Sequence, residues 1–209
     1  MIITKYGPSF FKMTVGDKTV AINPVSKDSK LKTTKFGADI TLVQANYDDM
    51  NGSEFTKFKD REPFVINTPG EYEISDIFIK GFGAPTKYKG EDRITTMFTI
   101  LMDGINMAFF GPISENKIDN ETFEELQACD IFFLPIGGGD MFTADEAFKF
   151  VKQFSPKAVV PVFYDKSALA DFVAASGKDG VKEEEKLTIK AKDLDDDSLQ
   201  VFALKDMSK

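Results

Sequence analysis

The chain changes its hydrophobic period once, near Gly111, and that change limits the fold more than any other feature of the sequence. Before it lie short, apolar or β-branched segments separated by turn residues. They are Ile2–Lys5, Ser9–Val15, Thr19–Asn23 after the turn Gly16-Asp17, Ile40–Val43, and Phe64–Ile66 after Pro63. Two hairpins follow, Glu71–Ile74 with Ile77–Lys80 across Ser75-Asp76, and Ile94–Met102 with Ile105–Phe110 across Asp103-Gly104. After Gly111 strands alternate with helices. Asp119 to Ala128 reads as a helix capped by Asp119, Ile131–Leu134 as a buried strand, and Thr143 to Phe154 as a helix with capping-box spacing between Thr143 and Glu146, stopped by Pro156. Lys157–Phe163 is a second buried strand, and Ser167–Ser176 a helix closed by Gly177. Lys186–Lys190 and Ser198–Leu204 are the last candidate strands, around Asp193–Asp197 as a solvated acidic turn. A strand-rich half followed by strand–helix alternation predicts a layered α/β or α+β domain.

Composition sets the outer bounds. At 209 residues, 42% hydrophobic and 29% charged, the chain suffices for one domain spanning residues 1–209 with its own core and no linker. The 21 phenylalanines are expected in that core. Lys and Arg total 26 against 34 Asp and Glu, a net charge of -8, which argues against nucleic acid and anionic membrane as partners. A single cysteine, Cys129, precludes an intrachain disulfide. With no cationic leader and no apolar run of membrane length, the expected compartment is the cytoplasm.

The chemistry is bounded by an absence: the chain contains no histidine. The buried strand Ile40–Val43 ends in the polar cluster Gln44-x-Asn46-x-Asp48-Asp49, and strand ends are where sites are built. A Ser-His-Asp triad is excluded. The plain reading of Gln44 and Asn46 is that their amides satisfy loop backbone groups, and that of Asp48-Asp49 is a helix cap before Met50. Gly137-Gly138-Gly139-Asp140 lacks the Lys-Ser/Thr of a phosphate-binding loop and reads as a turn. Cys129 has no histidine to activate it and is expected to be a buried, inert thiol. Acid–base work by Asp48, Asp49, Glu71 or Asp92 is chemically open, and nothing in their spacing requires it.

Several segments, in order, resemble the metallo-β-lactamase fold superfamily, in the branch of the ascorbate-phosphate-lactonase-like hydrolases. Tyr6-Gly7-Pro8-Ser9-Phe10 is similar to the Gly-His-Ser-x-Phe opening of that family, and Ala21-Ile22-Asn23-Pro24 to its Leu-Ile-Asp-Pro. Thr68-Pro69-Gly70-Glu71-Tyr72 resembles its Pro-Gly-Glu hairpin. The runs Asp130 to Gly138, Thr143 to Ala147 and Pro156 to Pro161 carry the most specific likeness. The resemblance covers about Ile2 to Tyr164. It implies an α+β, four-layer αββα sandwich, with two mixed β-sheets face to face and helices outside.

It also locates the family's metal site, and there this chain departs from the pattern. Gln44-x-Asn46-x-Asp48-Asp49 stands in place of His-x-His-x-Asp-His, so that only Asp48 keeps the family's residue. The next histidine belongs near Gly83–Tyr88, where Thr86 is the nearest polar residue. The bridging aspartate is replaced in Gly111-Pro112, and the last histidine is Phe163. Pro8 and Asn23 replace a further His and Asp. Zinc uses imidazole in such sites and carboxamides substitute poorly, so Gln44, Asn46, Asp48, Asp49, Pro112 and Phe163 read as vestigial, with no catalytic residue assigned. The resulting expectation is a non-catalytic member of the fold, with a binding, scaffold or regulatory role, no cofactor, and a protein or small-molecule partner. Phe163 is expected to fill the place of the last histidine. The alternative is a divergent hydrolase with a weakly held, hard divalent cation at Asp48 and Asp49, helped by Gln44 and Asn46.

Overall fold

A computed structural model describes residues 1–59, 62–115, 118–194 and 198–208. In chain order the strands are β1 (Ile2–Lys5), β2 (Phe11–Val15), β3 (Lys18–Ile22), β4 (Ile40–Leu42), β5 (Phe64–Ile66), β6 (Gly70–Ile74), β7 (Ile77–Tyr88), β8 (Glu91–Met102) and β9 (Ile105–Phe109). Then come α1 (Asn120–Gln127), β10 (Ile131–Pro135), α2 (Ala144–Phe154), β11 (Ala158–Val162), α3 (Lys166–Ala175), β12 (Leu187–Thr188) and β13 (Gln200–Val201). These elements fall into two compact units, residues 1–68 with 184–189 and 204–209, and residues 69–183 with 190–203.

The first unit is a mixed sheet in the order β12-β1-β2-β3-β4-β5. β1, β2 and β3 form an antiparallel meander, β12 adds antiparallel to β1, and β4 and β5 add parallel to β3. All three residues of β4 are buried, as their uninterrupted apolar run predicts. Phe10, Ala21, Val25 and Ala38 pack with Tyr6 and Phe36, and the Phe10 and Phe36 rings stack 5.4 Å apart.

The second unit is a mixed sheet in the order β13-β11-β10-β9-β8-β7-β6. β9, β10, β11 and β13 run parallel, whereas β6 to β9 form antiparallel hairpins. β10 and β11 are buried along their whole length, which their sequences IFFLP and AVVPV anticipate. Pro161 sits inside β11 without breaking the sheet. The Val159 carbonyl accepts from the Phe202 N–H on the β13 side, so residue 161 faces that side too, two positions beyond where β13 pairing ends. Phe110, Phe132, Phe150, Phe154 and Phe172 anchor a core shared by the sheet, α2 and α3, with Phe110 and Phe150 perpendicular at 5.2 Å. The helix caps are those the sequence predicts. Asp119 accepts from the Thr122 N–H, and Thr143 with Glu146 closes a capping box.

Three sequence expectations need correction here. No helix begins at Met50: residues 48–50 form a turn in which the Met50 N–H donates to the Tyr47 carbonyl, and a short 3-10 turn, Ser53–Thr56, follows a Gly52 cap. The β7 strand does not stop at Lys80 but runs to Tyr88, paired with a β8 that begins at Glu91. The last two strands shrink to two residues each. Of the acidic turn Asp193–Asp197, residues 195–197 lie outside the described residues.

Candidate active site

The first unit gathers the polar cluster at the end of β4. Asn23, immediately after β3, is fully buried with φ 51°, a left-handed conformation that asparagine tolerates better than most residues. Its Nδ2 donates to Gln44 Oε1 at 2.7 Å and to Ser9 Oγ at 3.3 Å, and its Oδ1 accepts from the Gln44 backbone N–H at 2.9 Å. Asn23 is therefore the organiser, and Gln44 is held by it rather than free to satisfy a loop. Asn46 lies at the surface, where its Oδ1 accepts from Asn51 Nδ2 at 2.7 Å. Asp49 is buried and its Oδ1 accepts from Ser29 Oγ at 2.5 Å. Asp48 is exposed, and its main-chain carbonyl accepts from the Ser26 N–H. Sequence reasoning noted Asn23 only as a replaced aspartate. The signal it missed is pairing across 21 residues between two polar side chains in adjacent parallel strands.

The second unit brings the other three positions together. The carboxyl ends of β9, β10 and β11 lead into loops at 111–113, 136–142 and 163–165, the side of a parallel sheet on which ligands bind. Thr86 Oγ1 donates to the Pro112 carbonyl. The Phe163 ring, 8% exposed, meets the Tyr88 ring edge-on at 5.8 Å. Phe163 itself has φ 51°, costly for a bulky residue and a hallmark of strand ends that build sites. Gly137 allows this: a Cβ there would collide with the Phe163 carbonyl oxygen. Tyr88 was invisible to sequence reasoning because the strand carrying it was ended too early.

The remaining candidates stand elsewhere. Glu71 is exposed and pairs with Lys80 at 3.5 Å. Lys80 also holds Glu125 at 2.9 Å, and the Glu125 hydrogen bond and charge lead in raising the lysine's pKa. Asp92 is exposed on β8. Cys129 is buried, with its Sγ against the Glu125 carbonyl, and burial foremost pushes the thiol up to about 12. A hollow of about 360 Å³ holds Lys152, Lys157 and Lys178, but it opens at the carboxyl ends of α2 and α3, where lysines answer the helix dipoles. It also lies at the amino end of β11, away from Phe163.

The sequence and the fold both have known counterparts. Residues 2–163 match the model of the beta-lactamase superfamily domain. The chain belongs to that family. It is 26% identical over 184 residues to a UPF0173 metal-dependent hydrolase of Thermoplasma acidophilum, covering 77% of this chain and 81% of that protein. A UPF0173 metal-dependent hydrolase of Natranaerobius thermophilus is 23% identical over 180 residues, covering 76% and 81%. Among solved structures, a proposed Zn-dependent hydrolase of the metallo-β-lactamase superfamily from Thermotoga maritima superposes with a TM-score of 0.75 at 20% identity, covering 98% of this chain and 99% of that one. Igni18, a metallo hydrolase from Ignicoccus hospitalis, does so with 0.60 at 18%, covering 90% and 99%. The fold is thus the metallo-β-lactamase fold that the motifs implied, built on two mixed sheets. Among the described residues no helix is long and apolar enough to cross a membrane.

The relatives overturn two expectations. A non-catalytic role and the absence of a cofactor were both inferred from the missing histidines, yet the relatives are named metal-dependent hydrolases. The inference went too far because losing imidazole removes one class of donor and not hydrolysis as such.

Proposed function

We propose that this protein is a divergent hydrolase of the metallo-β-lactamase superfamily that works with a hard divalent cation on the carboxylates of Asp48 and Asp49, rather than with zinc. The observation that carries this reading is the family match over residues 2–163, which spans every altered position, in relatives named for metal-dependent hydrolysis. The donor set does not fit zinc. Zinc wants three or four nitrogen, sulfur or carboxylate ligands, and among the described residues no three His, Cys, Asp or Glu converge. Pro112 and Phe163 offer no side-chain donor. Magnesium and manganese differ, because a hard cation keeps several waters and needs one or two carboxylates. Gln44 Oε1 and Asn46 Oδ1 already accept from Asn23 and Asn51, whereas an ionised carboxylate has two oxygens with lone pairs for a cation beyond the one that Asp49 lends to Ser29. Ser29 fixes Asp49 in orientation, and Asp48 meets solvent.

Calorimetric titration with Mn²⁺ or Mg²⁺ tests the site against the Asp48→Asn/Asp49→Asn double variant. Binding by the unaltered protein and its loss in the variant are expected, together with Mn²⁺-stimulated hydrolysis of a phosphodiester, lactone or thioester. Equal binding by both proteins defeats the assignment. We further assign the whole chain, residues 1–209, as one working domain of the cytoplasm with a small-molecule substrate and neither nucleic acid nor membrane as partner, on its single cysteine and net charge of -8.

A further inference from the structure

The hairpin of β7 and β8 is longer than its sheet needs. β6 pairs with β7 only up to Gly81, and β9 pairs with β8 only from Phe98 onward, so residues 82–97 form a two-stranded ribbon beyond both neighbours. Two strands alone are marginal in water. At its root the ribbon is packed into the core through Ala84 and Met97, with Phe82 against it, and toward its tip it touches three loops. Thr86 donates to the Pro112 carbonyl after β9, the Gly90 N–H donates to Asp140 Oδ2 at 3.3 Å after β10, and Tyr88 meets Phe163 after β11. Its other side faces water, with Asp92 and Arg93 exposed and Ile94 65% exposed.

We propose that this ribbon is a gate over the carboxyl ends of β9, β10 and β11, held closed here by Thr86, Tyr88 and Gly90, and that it peels away from its tip to open that side of its own sheet to a small-molecule ligand. The loops beneath it hold Phe163, Gly138 and Gly139 at positive φ, a concentration of constrained backbone at the ligand side of the parallel strands. Gly81 and Gly83 stand where the ribbon leaves the sheet, and glycine inside a strand weakens it. Gly81 is required by packing, since a Cβ there would lie 3.0 Å from Thr96 and 3.1 Å from the Pro69 backbone. Gly83 is not: a Cβ would meet Pro69 and Ile94 at the ordinary distances of 3.6 and 3.7 Å. Flexibility at Gly83 is a property the packing does not demand. The gate rests on the hydrolase reading only for what it admits.

The test needs no substrate. In amide exchange of the intact protein, residues 84–94 should exchange about tenfold faster than residues 77–81 and 98–102 of the same two strands, by local opening that persists without denaturant. The chain has no tryptophan, so Tyr88→Trp supplies a single reporter under the closed ribbon. Acrylamide quenching of that reporter should fall about threefold when Gly83→Ala is added and rise about threefold with Asp140→Ala. Equal exchange along both strands, or quenching unmoved by either change, overturns the gate. An opening ribbon in a protein without metal-stimulated hydrolysis leaves the gate standing and counts against the hydrolase. A static ribbon in an active enzyme does the reverse.

Discussion

Tyr88 stands edge-on to Phe163, ring centroids 5.8 Å apart and planes at 61°, so that the residue just past the end of β11 is buried against an aromatic ring and offers no side-chain donor. Two opposing effects meet at Phe163. Its buried ring contributes apolar contact, while its φ of 51° costs about 1–2 kcal/mol in left-handed backbone strain. Burial wins: Phe163→Ala should lower stability by about 3–5 kcal/mol. Phe163→Gly removes the same ring but relieves the strain, and should be about 1 kcal/mol more stable than the alanine variant. Urea unfolding of the three proteins decides it, and an alanine variant as stable as the parent would show that the ring does no packing work.

Asn23 and Asn46 are both amides in the polar cluster of the first unit, and their environments predict opposite sensitivity. Asn23→Ala takes the Asn23 partner away from both the buried Gln44 N–H and its Oε1 and puts alanine at positive φ, so a loss of about 2–4 kcal/mol is expected. Asn46→Ala acts at the surface, where the hydrogen bond to Asn51 is exposed, and should stay within about 0.5 kcal/mol of the parent. Thermal unfolding of the two variants side by side checks the ranking. Equal losses would mean that Asn23 is not the organiser of the cluster.

Cys129 is the chain's one thiol, and its burial should make it silent. With its pKa pushed up to about 12 by burial, then by the charges of Glu125 and Asp130, the thiolate is scarce at pH 8. A disulfide reagent should label the native protein at least a hundredfold more slowly than the urea-unfolded chain. Rapid stoichiometric labelling of the native state would contradict the burial.

How much was legible follows the range over which each signal acts. The Thr143 cap, the Asp119 cap and the Asp103-Gly104 hairpin, with φ 56° and 71° at its two turn residues, are local, and the sequence states them outright. The ribbon was hidden because Gly81, Gly83 and Pro85, types depleted in strands, follow Lys80, whereas Pro85 lies past the end of β6, where β7 has no neighbouring strand on its outer edge. Asn23 with Gln44, and Thr86 with Pro112, are separated by 21 and 26 residues, and no periodicity links such pairs. The polar cluster at residues 44–49 was readable as residues and misread as a function. Missing histidine speaks to zinc, and the step from there to no catalysis had no physical support.

The capping box of α2 ties stability to pH. The Glu146 carboxylate accepts from the Thr143 N–H at 2.9 Å and from its hydroxyl at 2.7 Å, and these two bonds, the backbone one first, hold its pKa below the ordinary value near 4.5. A carboxylate whose folded pKa is depressed contributes stability above its unfolded pKa and loses it as pH falls through the folded one. That contribution is therefore complete at neutral pH and fades below about pH 4.5. Thr143→Ala removes the hydroxyl partner and the side-chain cap but keeps the residue-143 backbone N–H, and should cost about 1 kcal/mol at pH 7. It should also flatten the acid limb of the stability curve in part, so that the gap between variant and parent narrows below pH 4. Glu146→Gln should flatten the same limb at a smaller loss, because the threonine hydroxyl still faces the Glu146 backbone N–H at 3.4 Å. Urea midpoints of the three proteins between pH 3 and pH 7 measure this, and a gap between Thr143→Ala and the parent that persists unchanged to pH 3 would assign the cap's contribution to geometry alone.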